Sequence, residues 1–72
     1  MHQIPTAELF KQLTSAEAAE FMNTSPSTLE RRRRDGTGPK YLRINQCSVR
    51  YRLVDLIEHQ EALLVMQEAH SG

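Results

Sequence analysis

The 72 residues predict a mainly α-helical domain that carries one small β-hairpin. Residues 14–35 hold two short segments with helix start and stop signals, joined by a tight turn. Residues 40–52 alternate between apolar and polar side chains around a polar centre, as a β-hairpin does. Residues 53–69 repeat apolar side chains at helical spacing. This order predicts a single winged helix-turn-helix domain over residues 1–72, with residues 1–12 as an N-terminal extension.

Size and composition narrow the possible functions. A chain of 72 residues supports one small core, and no apolar run in it approaches the length that spans a membrane. No charged-then-apolar leader indicates secretion. Cys47 is the only cysteine, which rules out an internal disulfide and fits a reducing cytoplasm. We therefore expect a cytoplasmic protein.

The first helix of the pair is predicted to begin after Thr14 and to run to about Met22. The Thr14 hydroxyl can accept the Glu17 N–H while the glutamate reaches back, which is a capping box. Ala18, Phe21 and Met22 are expected to face the core. The alanines of this helix are small enough to let a second helix approach closely.

The second helix is predicted to begin after Ser25, with Pro26 in its first turn, and to end at Gly36. Leu29 is expected to point inward. The outward and flanking positions carry hydroxyl or guanidinium groups: Ser27, Thr28, Arg31 and Arg34. Arginine donates bidentate hydrogen bonds to phosphate or guanine, and hydroxyl groups can bond either, so this face suits a DNA groove. The alternative is that the four arginines at positions 31–34 are a solvated charged face or a localisation signal.

The distribution of charge favours DNA, although the net charge of the chain is zero. Residues 26–52 contain eight basic and two acidic side chains, a net charge of +6. The remainder contains one basic and seven acidic side chains, a net charge of −6. The molecule is therefore predicted to be dipolar, with one face suited to a polyanion.

The hairpin is expected to have one apolar and one basic face. A two-stranded hairpin is marginally stable alone, so its apolar side chains must pack on the helices. These side chains are Leu42, Ile44, Val49 and Tyr51. Arg43, Arg50 and Arg52 would then face outward beside the second helix, as on a wing whose tip reaches the DNA backbone or the minor groove.

The last helix has a mainly apolar stripe that can close the core, formed by Leu53, Leu56, Ile57, Gln60, Leu63, Leu64 and Gln67. Val54, Val65 and Met66 lie away from that stripe. Single exposed apolar residues are normal on protein surfaces. Alternatively, these three residues form a contact between protomers.

The sequence offers little for catalysis or cofactor binding, and we predict no enzyme, cofactor, metal or small-molecule substrate. His59 and His70 would need further ligands to hold a metal. Cys47 has no evident base beside it, as a nucleophile requires. Tyr41 and Tyr51 suggest a recombinase nucleophile, but the chain is too small for such a site and packing of the hairpin explains both.

Four segments together resemble the excisionase-type winged-helix members of the MerR superfamily: residues 13–19, 25–29, 36–41 and 49–56. That group includes phage excisionases, small activators similar to AlpA, and recombination directionality factors. The resemblance implies that the second helix binds the major groove and the wing the neighbouring minor groove. It assigns DNA contacts to Ser25, Ser27, Thr28, Arg31, Arg34, Arg43 and Arg50, and we expect Arg32 to join them as a further contact. A protein of this type is expected to be bacterial and to associate with the nucleoid.

The chain departs from the family pattern at two places. Such proteins often carry tryptophan where this chain has Arg32, which would loosen the packing or turn Arg32 to phosphate. The wing tip, residues 45–48, lacks the usual glycine and basic pair. No ligand-sensing domain follows, so effector-controlled regulation is not expected.

Three functions are compatible with the sequence. The resemblance favours a recombination directionality factor that binds repeated sites on double-stranded DNA cooperatively and bends them, so that a site-specific integrase favours excision of a mobile element. The second hypothesis is a small AlpA-like transcription regulator that uses the same surface. The third is a protein-interaction module whose basic face binds an acidic partner.

Overall fold

The computed structural model describes residues 5–64 and shows a small helical domain with an antiparallel sheet. Its elements, in chain order, are α1 (Thr6–Leu9), β1 (Gln12–Leu13), α2 (Ser15–Phe21), α3 (Pro26–Asp35), β2 (Leu42–Arg43), β3 (Val49–Arg52) and α4 (Leu53–Ala62). Helices α2 and α3 pack against each other, and β2 and β3 form the hairpin that follows them. The predicted winged helix-turn-helix architecture is confirmed.

Local signals fix both ends of α2 and α3, as the sequence predicts. Thr14 and Glu17 form the capping box, with N–H to oxygen distances of 2.9 and 3.1 Å. The Ser25 hydroxyl accepts the N–H of Thr28 at 3.2 Å, and Pro26 occupies the first turn of α3. Gly36 ends α3 in the left-handed conformation, with φ of 78°.

The turn between α2 and α3 also contains a residue in the left-handed conformation, which here is an asparagine and not a glycine. Asn23 adopts φ of 58°, a conformation that asparagine tolerates better than most residues other than glycine. The N–H groups of Asn23 and Thr24 donate to the carbonyl groups of Glu20 and Ala19, at 3.1 and 2.8 Å. The last carbonyls of α2 are thereby satisfied, and the chain turns directly into α3.

The capping box should contribute measurably to stability. We expect Thr14→Ala to lower the free energy of unfolding by about 0.5–2 kcal/mol, since it leaves the Glu17 N–H without its intramolecular partner. Urea denaturation followed by circular dichroism measures this difference. Thr37→Ala, at an exposed loop residue, is the matched control and should change stability by less than about 0.5 kcal/mol. Equal unfolding midpoints for the two variants would contradict the role of the cap.

The sheet has three strands in the order β1-β3-β2, whereas the sequence predicts only the two strands of the wing. The additional strand begins at the last residue of the N-terminal extension and pairs Leu13 with Tyr51 and Gln12 with Arg52. The strand β1 has only two residues, so its sequence shows no alternation that could indicate a strand. Its pairing makes β3 the central strand and joins the extension to the rest of the fold.

The core lies where α2, α3 and α4 meet the central strand. Its buried apolar residues are Leu13, Ala18, Ala19, Leu29, Val49, Tyr51 and Leu56. Met22 and Leu53 pack against this cluster from its edge. The adjacent alanines of α2 are fully buried where α2 contacts α3, so the predicted close approach of the two helices is confirmed.

Two side chains predicted to be in the core are exposed instead. Phe21 is 44% exposed because it follows Ala19 by two positions, about 200° around the helix from that buried residue. Ile44 is 48% exposed because it lies beyond β2 in the connection at the wing tip, where its N–H donates to Ser48. Leu42 is half-buried, whereas Val49 and Tyr51 are buried as predicted.

The last helix is shorter than predicted. Helix α4 ends at Ala62, and Leu63 and Leu64 are 58% and 63% exposed rather than part of the core stripe. Helix α4 contacts β3 and α1, which are too short to cover its C-terminal part. Residues 65–69 of the predicted helix, including Val65 and Met66, lie outside the described residues.

Arg52 does not face outward beside α3, as the sequence suggests, but binds the buried carboxylate of Asp55. The Arg52 Nε and Nη2 atoms donate to the two Asp55 oxygens at 2.7 and 2.9 Å. These hydrogen bonds, followed by the attraction of the Asp55 charge, raise the pKa of Arg52. The Arg52 guanidinium also lies 5.6 Å from the centre of the Phe10 ring, so this arginine belongs to the joint between α4 and the N-terminal segment.

Candidate nucleic-acid interface

One side of α3 carries the exposed polar groups that the sequence predicts. Leu29 is 1% exposed and anchors the helix in the core. Ser27, Arg31 and Arg34 are all exposed, at positions 140–200° around the helix from Leu29. The outward direction of these three side chains is the arrangement that a groove-binding helix needs.

The hydroxyl groups at the start of α3 have local partners. The Ser25 hydroxyl caps the helix and lies 2.9 Å from the hydroxyl of Thr28. Ser25 is exposed and Thr28 is half-buried. A hydroxyl group can donate and accept at once, so both retain capacity for a further hydrogen bond to a phosphate or a base edge.

The exposed arginines of α3 differ in their surroundings. The Arg34 guanidinium lies 3.4 Å from the Glu30 carboxylate, and both side chains are more than half exposed. Such surface ion pairs contribute about 0–1 kcal/mol to stability, so Arg34 can exchange Glu30 for a DNA phosphate at little cost. Arg31 has no carboxylate within 4 Å among residues 5–64, and its guanidinium is the most readily available donor on this face.

Arg32, predicted to contact DNA, lies on the flank of α3 under the loop that follows the helix. It is half-buried, and Gly38 approaches so closely that a Cβ atom there would be 3.1 Å from the Arg32 Cβ. The N–H of Thr37 donates to the Arg32 carbonyl at 3.0 Å. The stem of Arg32 therefore packs against the loop that follows α3.

Arg33 is the arginine that sequence reasoning left out, and it joins α3 to the wing. Its guanidinium lies 5.6 Å from the centre of the Tyr41 ring, and its Nη1 is 3.5 Å from the Tyr51 hydroxyl. Arg33 follows Leu29 by four positions, so it shares the inward face of the helix. Two tyrosines on a hairpin opposite a basic helix are the sequence signal that could have identified this contact.

The wing presents the two arginines that the sequence predicts. Arg43 is exposed on β2, and its guanidinium lies 5.8 Å from the Tyr41 ring centre. Arg50 is half-buried on β3 and donates from Nη1 to the carbonyl of Val49 at 3.0 Å. Leu42 pairs with Arg50, and Arg43 pairs with Val49, so the two arginines occupy neighbouring rungs of the hairpin. Because paired residues share a face and successive rungs alternate, Arg43 lies on the face of Val49 and Arg50 on the opposite face. The predicted division of the hairpin into one apolar and one basic face is therefore wrong.

A groove of about 340 Å³ separates α3 from the wing. Helix α3 contributes Pro26, Glu30 and Arg33 to its walls, and Ser15 of α2 closes one end. The wing contributes Arg43, Gln46, Cys47, Ser48, Val49 and Arg50. The groove therefore lies between the two elements that the sequence assigns to DNA binding.

Of the residues that the structure describes, those considered for other roles do not line the groove, with the exception of Cys47. Val54 is half-buried in the first turn of α4, whereas Val65 and Met66 are not among the described residues. Cys47 is an exposed free thiol at the wing tip. Between residues 5 and 64 no group of His, Cys, Asp and Glu side chains has the arrangement of a metal site. None of the helices in that range combines the length and the apolarity needed to cross a membrane.

Comparison with known proteins agrees with this geometry. A family model described as a helix-turn-helix domain matches residues 13–63. The match begins at β1, includes α2, α3 and the wing, and extends past the end of α4. No curated protein and no solved structure matches the sequence.

Proposed function

Since the chain belongs to the helix-turn-helix domain family of small excisionase- and AlpA-like DNA-binding proteins, we propose that it is a recombination directionality factor. In this proposal α3 enters the major groove of double-stranded DNA and the wing lies at the adjacent minor groove. Copies of the protein bind repeated sites cooperatively and bend the DNA, so that a site-specific integrase carries out excision of a mobile element. The family itself establishes only that the chain is a DNA-binding protein.

The observation that most supports this mode of DNA binding is the contact between α3 and the wing. Tyr41 lies within 6 Å of the guanidinium groups of both Arg33 on α3 and Arg43 on the wing. The ring of Tyr51, which is buried in the core, lies 6.3 Å from that of Tyr41. The two DNA-binding elements are thus held together as one rigid basic surface, which lowers the entropy lost when both bind at once.

Two features support assembly of several copies on DNA. The basic segment 26–52 and the acidic remainder have opposite net charges, so the acidic part of one copy can approach the basic part of the next. Two exposed leucines, Leu63 and Leu64, follow the end of α4, and Val54 is only half-buried at its start. Apolar side chains that the core leaves exposed are available for a contact between neighbouring protomers.

Gel shifts on DNA flanking the gene separate this function from its alternatives. A directionality factor should give a ladder of complexes on attachment-site DNA, because successive copies add to tandem sites. A single complex on promoter DNA would instead indicate a transcription regulator that uses the same surface. No sequence-preferring binding to any duplex would leave only the protein-interaction module.

Wing contacts to the DNA backbone should be independent of sequence. We expect Arg50→Ala to weaken binding to specific and non-specific duplexes alike, since a backbone phosphate carries no base identity. The dependence of log K on log salt concentration should become shallower by about 0.9, the value for one lost phosphate contact. Fluorescence anisotropy at several salt concentrations measures both effects. A loss confined to the specific duplex, with an unchanged salt slope, would assign Arg50 to base reading instead.

Self-association should depend on the apolar positions of α4. We expect Val54→Asp to preserve binding to a single site but to remove the ladder on tandem sites, because a charge replaces part of the proposed contact. The fold should persist, since an acidic residue in the first turn of a helix interacts favourably with the helix dipole. Val65→Asp tests the second predicted position, which lies outside the described residues. Unchanged cooperativity in both variants would rule out this face as the protomer contact.

A further inference from the structure

The residues that line the groove between α3 and the wing include three arginines, which come from both elements. Arg33 belongs to α3, whereas Arg43 and Arg50 belong to the two strands of the wing. Nothing in the sequence assigns a role to Arg33 or a ligand to this groove. The groove is partly open to solvent, so a group that projects from an extended polymer can enter it.

The electrostatic character of the groove is positive. Glu30 is the one carboxylate among the lining residues, and it is already paired with Arg34 at 3.4 Å. Among residues 5–64 no carboxylate lies within 4 Å of Arg33, Arg43 or Arg50. Their charges are therefore not neutralised inside the protein, and an anion that enters the groove gains attraction from all three.

The three side chains are also held in place before any ligand arrives. Arg33 is positioned by the Tyr51 hydroxyl and the Tyr41 ring, Arg43 by the same ring, and Arg50 by the Val49 carbonyl. An arginine has five N–H donors, so each keeps several for a ligand. A side chain that is already ordered loses less entropy on binding than a free one, which raises affinity for the ligand that fits.

We propose that this groove seats one phosphodiester group of the DNA strand that passes between α3 and the wing. Guanidinium groups are donors only and a phosphodiester is an acceptor only, whereas base edges present donors as well as acceptors. Arg33 is then a positioning residue that contacts the backbone, and the same phosphate is held by the reading helix and the wing. This shared phosphate fixes the register of α3 along the major groove. The inference rests on the proposed DNA binding but goes beyond it by naming the occupant of the groove.

The test neutralises the DNA phosphates one at a time. A specific duplex, defined by footprinting, is synthesised with a single uncharged methylphosphonate at each backbone position in turn, and its affinity for the full-length protein is measured. One position should show the largest penalty, about tenfold in affinity, because charge-assisted hydrogen bonds from several guanidinium groups are lost there. In Arg33→Gln the penalty at that same position should shrink to about twofold, because the variant has already lost part of the contact.

Two further variants distinguish the loss of this phosphate contact from a general loss of DNA affinity. Arg31→Gln removes a charge from the exposed face of the same helix and should leave the penalty at that position undiminished. Arg43→Gln, at an exposed side chain that does not support the core, should reduce the penalty as Arg33→Gln does. Agreement between the two groove variants excludes an effect of misfolding at Arg33.

Three results would overturn the inference or its premise in distinguishable ways. An equal penalty at that position in the wild type, Arg33→Gln and Arg43→Gln would show that the groove is not the phosphate seat, while DNA binding stands. Saturable binding of inorganic phosphate at micromolar concentration, with no single sensitive position on DNA, would make the groove a small-anion site instead. No specific binding of any duplex by the wild-type protein would overturn the proposed function itself.

Discussion

Replacing Leu29 with alanine should leave a large fraction of the protein unfolded at 25 °C. Leu29 is 1% exposed and is the only residue of α3 whose side chain is buried in the core. A buried leucine-to-alanine change costs about 2–5 kcal/mol, from lost burial and from the cavity that remains. A domain of this size has about 3–5 kcal/mol of stability from a single core. The loss is therefore comparable with the whole stability of the fold.

Urea denaturation monitored by circular dichroism measures this effect. Leu29→Met is the matched control, because it nearly conserves volume and should cost less than about 1.5 kcal/mol. DNA binding by Leu29→Ala should fall in proportion to the unfolded fraction and recover when temperature is lowered moderately or a stabilising osmolyte is added. A change below about 1 kcal/mol would mean that α3 is held by contacts other than its apolar anchor.

Replacing Arg31 with alanine should cause the largest loss of DNA specificity. Arg31 is exposed on the outward face of α3 and lacks a carboxylate partner within the part of the chain that the structure describes. An arginine that reads guanine contributes about 1–3 kcal/mol of discrimination. We therefore expect affinity for the specific duplex to fall roughly 5- to 150-fold, with relaxed preference at one base pair. Arg34→Ala should behave similarly at a neighbouring base pair.

Selection of binding sequences from a randomised duplex pool, done with the wild type and each variant, measures these preferences. Circular dichroism should show an unchanged fold, since neither side chain supports the core. Arg50→Ala provides the comparison, because a phosphate contact should lower affinity without altering the selected sequence. If Arg31→Ala, Arg34→Ala and Arg50→Ala all relax the selected sequence equally, the division between a reading helix and a positioning wing is wrong.

The parts of the fold that sequence could predict are those set by neighbouring residues. The caps at Thr14, Ser25 and Gly36 each depend on atoms within a few positions along the chain, and the structure has all of them. The inward direction of Leu29 follows from helical periodicity within one short segment. Such local features are specified by covalent geometry and need no knowledge of the rest of the molecule.

The parts that could not be predicted depend on residues far apart in sequence. Strand β1 exists because Leu13 pairs with Tyr51, a partner 38 positions away, and two residues show no periodicity of their own. The exposed end of α4 follows from the small extent of the sheet beneath it, which the apolar spacing of Leu63 and Leu64 does not reveal.

The same distinction applies to the candidate site. The exposed arginines of α3 follow from the helical wheel, whereas the role of Arg33 depends on where the hairpin places Tyr41 and Tyr51. Arg52 also alternates correctly for an outward position, but a carboxylate at Asp55 binds it three residues later. Alternation predicts the face of a strand, but contacts with other side chains, including near neighbours such as Asp55, decide which charged side chains on that face remain available.

Titration of the isotope-labelled protein with a duplex that carries a single specific site, followed by NMR, tests the central claim most directly. The account predicts that amide and arginine side-chain signals change in residues 25–34 and in the wing at 43–50, while the signals of α4 move little. Changes concentrated on α4 would contradict this prediction. So would the absence of any change at DNA concentrations that are sufficient to occupy a basic DNA-binding surface.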